Sequence, residues 1–92
     1  MPSQREIRDR VFVIIDIFSY KVNHPSQIDE SQNLTIDLGL GQNLKASLAA
    51  AFNKLAVSYQ SDARFTFTEC RLLNTVHDCV ALVCQRICGR AI

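Results

Sequence analysis

The sequence predicts an all-α fold, a small four-helix bundle with a long first loop. Three observations predict it. Three segments carry apolar residues at i, i+4, i+7, i+8 and i+11, the spacing of one face of an α-helix. Capping residues stand where those segments begin. A long polar stretch, from Lys21 to about Gln42, separates the first segment from the second. The 92 residues and 10.4 kDa allow one core, so residues 1–92 are expected to form one domain.

The first stripe is Ile7-Val11-Ile14-Ile15-Phe18. Ser3 and Glu6 form a capping box ahead of it. The helix should end near Tyr20, because His24-Pro25 follows and the residue before proline avoids helical angles. In the long connection, Val22, Ile28, Leu34, Ile36, Leu38 and Leu40 are expected to pin the loop across the helices. The second stripe is Leu44-Leu48-Ala51-Phe52-Leu55, with Asn43 as its expected cap. Ser61-Asp62 breaks the chain. Phe65 to Leu73 then predicts a short helix with Phe67, Cys70 and Leu73 on one side, although Phe65-Thr66-Phe67-Thr68 also alternates like a strand. The last stripe is Val76-Val80-Val83-Cys84-Ile87, capped by Asn74 or Thr75. Gly89 should stop it, with Arg86 and Arg90 near its negative end.

Composition excludes several classes. The net charge is +1, from ten basic and nine acidic residues, which argues against a general nucleic-acid binder. Arg5, Arg8 and Arg10 alternate with Glu6 and Asp9, as on a solvated helix face. Apolar runs are no longer than six residues, far short of the ~20 a membrane span needs. No signal-peptide pattern opens the chain. The four cysteines, Cys70, Cys79, Cys84 and Cys88, crowd into the last quarter, unlike a disulfide scaffold. Reduced, mostly buried thiols and a cytoplasmic location are expected. The charges are unevenly spread: between Asp37 and Asp62 there is no acid, while Lys45 and Lys54 fall in that stretch.

Several local motifs, taken in order, resemble the acyl carrier protein family. Asp37-Leu38-Gly39 stands just before the second helix, as that family's Asp-Leu-Gly element does. Ile28 and Leu34 occupy its apolar loop positions. Arg10-Val11-Phe12-Val13-Ile14-Ile15 is similar to its Arg-Val-x-x-Ile-Ile, and Thr75-Val76-His77-Asp78-Cys79-Val80 to its Thr-Val-x-Asp-x-Val. The resemblance runs over roughly residues 5 to 88. It implies a carrier-type bundle that catalyses nothing itself. In the family, a serine in Asp-Ser-Leu at the start of the second helix holds a 4′-phosphopantetheine arm, whose thiol carries an acyl group. A helix start suits the arm phosphate.

This chain departs from the family there. Counting from Asp37, the serine position falls on Gln42 or Asn43, and neither has a hydroxyl to esterify. Ala46-Ser47-Leu48 mimics Asp-Ser-Leu, and counting back from Val76 lands close to Ser47. If Leu44 already belongs to the helix, Ser47 lies inside it, where its hydroxyl bonds a backbone carbonyl. No cofactor is expected unless Ser47 carries 4′-phosphopantetheine. The family's second helix is also acidic and docks onto basic patches of partner enzymes, whereas this one holds only lysines. Two readings follow: a neutral, alanine-rich helix chosen for propensity, or a changed docking face built from Lys45, Ala46, Ala49, Ala50 and Lys54, with Val57 nearby.

Other chemistry is sparse. His77, Cys84 and Cys88 fall near one face of the last helix and Cys70 could approach, but the tight Cys-x-x-Cys pairs of zinc sites are missing, and no metal is expected. His77 and Cys79 are two apart and point away from each other. His24 should be solvated. Gly39-Leu40-Gly41 lacks the rest of any phosphate loop. No carboxylate pair or activated nucleophile is placed together, so an enzyme is not expected. The leading expectation is an arm-free carrier-like protein that docks onto acyl-processing enzymes or a regulator. The alternatives are a carrier using Ser47, or a helical interaction module unrelated to acyl transfer.

Overall fold

The computed structural model describes residues 3–19, 21–22 and 24–89. They form α1 (Gln4–Phe18), a 3-10 turn (Pro25–Gln27), α2 (Gln42–Ser58), α3 (Phe67–Arg71) and α4 (Val76–Cys88). The fold is all-helical. Among the described residues there is no strand, and one isolated bridge joins Asn33 to Thr75.

Each helix starts for a local chemical reason. The Ser3 hydroxyl accepts from the Glu6 amide at 3.1 Å and caps α1. Thr66 with Glu69, and Thr75 with Asp78, close reciprocal capping boxes on α3 and α4. The box at Thr66 starts a helix at Phe67, so the alternating Phe65–Thr68 segment is not a strand. The expected cap of α2 is corrected. Gly41, not Asn43, is the residue before the helix, and it has no side chain to cap with. α1 ends at Phe18 with Ser19 as its cap, and Tyr20 lies outside the described residues. Gly89 adopts φ +69 and closes α4, its amide donating to the Gln85 carbonyl. Arg86 stands in the last turn of α4, as expected, and its guanidinium grips the Glu69 carboxylate and the Arg64 carbonyl. Arg90 lies outside the described residues.

One apolar cluster holds the helices together. From the stripes it takes Ile7, Val11 and Ile15, then Leu48, Phe52 and Leu55, then Val76, Val80, Val83, Cys84 and Ile87. α2 packs most extensively on α3, and α1 packs on α4 and on α2. Phe65 meets Phe52 edge-on at 5.5 Å between ring centres. Phe65 therefore takes the place expected of Phe67, which is 60% exposed.

The connection ahead of α2 is pinned as expected by Ile28, Leu34, Leu38 and Leu40, all buried, and by a partly buried Val22. Ile36 departs from this: it is 73% exposed, and its backbone does the holding, the carbonyl accepting from the Lys21 ammonium at 3.0 Å and the amide donating to the Asn33 side-chain oxygen at 2.8 Å. Asp37-Leu38-Gly39 has a clear structural logic. The Asp37 carboxylate accepts from the Asn33 amide at 2.7 Å, closing the turn. Leu38 enters the core while its carbonyl accepts from the buried Ser19 hydroxyl at 2.6 Å. Gly39 reverses the chain at φ +77, a conformation that disfavours any side chain. The far side of this loop is stitched to α4: Leu34 donates to Asn74, Val76 to Gln32, and His77 to Glu30, all through backbone atoms.

Candidate functional site

The start of α2 holds Leu40, Gly41, Gln42 and Asn43. Leu40 is buried and the other three are exposed. None carries a hydroxyl, so the helix start does not fit an esterified arm. Ser47 lies inside α2, more than one turn beyond Gly41. It is exposed, and its hydroxyl donates to the Asn43 carbonyl at 3.0 Å, as expected of an interior helix serine.

The proposed docking residues separate into two groups, and the sequence reading is corrected for three of them. Lys45, Ala46 and Ala49 are interior. α3 covers a second side of α2, so burial extends beyond the single apolar stripe. Lys45 is only 4% exposed, and its ammonium donates to the Leu73 carbonyl at 2.8 Å, tying α2 to the end of α3. Ala50 and Lys54 do face outward, along with Ser47 and Val57. These four sit at i, i+3, i+7 and i+10, one outer face of the helix.

The C-terminal part of that face opens into a groove of about 350 Å³ lined by Asn53, Lys54, Val57 and Arg64. Asn53 builds it. Its side-chain oxygen accepts from the Phe65 amide at 2.8 Å and its nitrogen donates to the Phe65 carbonyl at 3.2 Å, so the chain before α3 is held against α2. The Arg64 guanidinium donates to the carbonyls of Asp62 and Ala63. Among the described residues, no carboxylate forms an ion pair with Lys54 or Arg64. Arg64 and Asn53 had been missed in the sequence. The available signal was Val57, a branched apolar residue on the outer face of α2 one turn after Lys54.

A second cavity of similar size lies between α1 and the 3-10 turn, against Arg8, Phe12 and Ile28. Its charge is satisfied internally. Arg8 stacks over Phe12 at 4.4 Å and pairs with Glu30 at 3.3 Å, and Glu30 also faces His77 at 3.5 Å.

All four cysteines are buried, and none forms a disulfide. Burial pushes Cys70 and Cys84 up to about 11, and Cys79 higher still, so the thiolate form is suppressed. Among the described residues, no group of three or more His, Cys, Asp or Glu side chains is placed to hold a metal, so His77, Cys70, Cys84 and Cys88 are not brought together as ligands. No described helix is long and apolar enough to cross a membrane. No family model matches the chain, and neither curated proteins nor solved structures yield a match.

Proposed function

We propose that this chain is a carrier-like helical domain that bears no phosphopantetheine arm and works by docking onto proteins of acyl or specialised lipid metabolism. The observation that carries the reading is the start of α2. The Asp37-Leu38-Gly39 turn stands just before that helix, where the family it resembles places its Asp-Leu-Gly element, yet Gly41, Gln42 and Asn43 follow it with no hydroxyl. The element order supports a carrier-type bundle: a long first connection, a long second helix, a short third and a final fourth. The position of Ser47 supports the absence of an arm, since its hydroxyl is engaged by the helix backbone away from the helix start. The exposed remainder of the docking face, Ser47, Ala50, Lys54 and Val57, is the surface such a protein would offer.

Intact-mass spectrometry after co-expression with a broad-specificity phosphopantetheinyl transferase tests the reading. The expected mass is that of the unmodified chain. A gain equal to one phosphopantetheine group would overturn it.

A further inference from the structure

The groove at the end of α2 combines an exposed apolar side chain with two cations. Val57 is a branched apolar side chain left 65% exposed. Lys54 and Arg64 line the same groove, both exposed and without an acidic partner among the described residues. Two other arginines are each matched by acids: Arg8 by Glu30 and Asp9, and Arg86 by Glu69. No acid lies between Asp37 and Asp62 in the sequence, so α2 itself contributes no negative charge to this face. Of its two lysines Lys45 is buried, which leaves Lys54 as the outward cation.

The groove is also ordered in a way that suits recognition. Asn53 holds the Phe65 backbone by two hydrogen bonds, and Arg64 is braced on the carbonyls of Asp62 and Ala63. Less side-chain entropy is lost when a partner arrives on groups already held. Beyond the groove the face continues as Ala50 and Ser47, small side chains that permit close approach over further helical turns.

From this complementarity we infer that the groove of Asn53, Lys54, Val57 and Arg64 binds an acidic amphipathic helix of a partner protein, with an apolar side chain on Val57 and carboxylates against Lys54 and Arg64. The inference rests on the docking reading above and supplies the chemistry of the partner. A nucleic acid would also meet the two cations, but its phosphates make no use of exposed Val57, and the chain as a whole carries only +1.

The test uses the full isotope-labelled chain and three probes. These are a short helical peptide with leucines on one face flanked by glutamates, the same peptide with glutamines, and a single-stranded oligonucleotide. Amide shifts should concentrate at Asn53 to Val57 and at Arg64 with the glutamate peptide. Raising salt from 0.1 M to 1 M shortens the screening length from ~10 Å to ~3 Å and should weaken binding markedly. Lys54→Glu and Arg64→Glu should each weaken it roughly tenfold. The doubly reversed chain should instead bind a lysine version of the peptide.

Equal binding of the glutamine peptide, shifts elsewhere on the surface, or tighter oligonucleotide binding at the same residues would overturn the inference. So would sedimentation showing that Val57 is covered by a second copy of the chain. An unmodified mass in the transferase experiment with no peptide binding overturns the groove inference alone. A mass gain overturns the arm-free reading without touching the peptide result.

Discussion

Replacing Ser47 with alanine separates a structural serine from an attachment site. The Ser47 hydroxyl is exposed and donates to the Asn43 carbonyl at 3.0 Å, a contact that water can replace. Its loss should cost almost nothing. The gain is intrinsic: alanine is favoured over serine inside a helix by ~0.5 kcal/mol, and the hydroxyl's competition with the backbone is removed. Ser47→Ala should therefore stabilise the fold by ~0.3–0.5 kcal/mol. For a domain of this size, that raises the melting temperature by about 1–4 °C. Thermal unfolding by circular dichroism measures it, alongside intact mass from cells supplying a transferase. The expected result is a small rise with identical masses for both proteins apart from the substitution itself. A loss of stability, or an adduct present on the parent and missing from the variant, would refute the reasoning that places Ser47 as an ordinary interior serine.

Three further outcomes are expected. Glu69 is held below the usual 4.5, first by its hydrogen bond to Arg86, so its pairing stabilises the fold above the unfolded carboxylate range and fades as pH falls through the folded value. Urea titrations should show Glu69→Gln less stable than the parent by ~0.5–1 kcal/mol near neutrality, a modest figure because Arg86 is partly exposed, with the gap closing in acid. Lys45→Met keeps the buried stem and drops the ammonium, whereas Lys45→Ala loses both. Chemical denaturation should place the alanine variant below the methionine one by about 2 kcal/mol. Gly39→Ala forces a side chain into φ +77 and should cost about 1 kcal/mol, while Gly41→Ser, in open space at an ordinary φ, should add roughly a few tenths by capping α2.

The helices were legible because their stripes and caps repeat at short range. Ile7-Val11-Ile15 and Val76-Val80-Val83 could be read directly, and Thr75 with Asp78 marks its helix start in the sequence. α2 was harder. Its alanines carry little contrast between buried and exposed positions, so a second buried side, made by Ala46 and Ala49 against neighbours distant in sequence, left no periodic trace. The burial of Lys45 was invisible for the same reason: its acceptor, the Leu73 carbonyl, is a backbone group 28 residues away. Phe65 and Phe67 differ by two positions, and the cap at Thr66 together with contacts from Asn53 and Phe52 turns Phe65 inward. Of the candidate site, the absence of a hydroxyl before Ser47 could be counted in the sequence. The groove could not, because it depends on Asn53 reaching across to Phe65.

The stitching of the long loop to α4 bears on how the chain folds. The amides of Val76 and His77 open α4, where a helix has no carbonyls of its own to offer them, and those of Gln32 and Glu30 accept instead. The last helix is thus completed by residues more than 40 positions upstream. An excised α4 segment would lack those acceptors and fray from its first turn. A single protease cut at exposed Ser31 would loosen the opposite end of the sequence as well. Such non-local completion makes assembly of the chain an all-or-none event and slows it relative to a bundle closed by neighbouring helices alone.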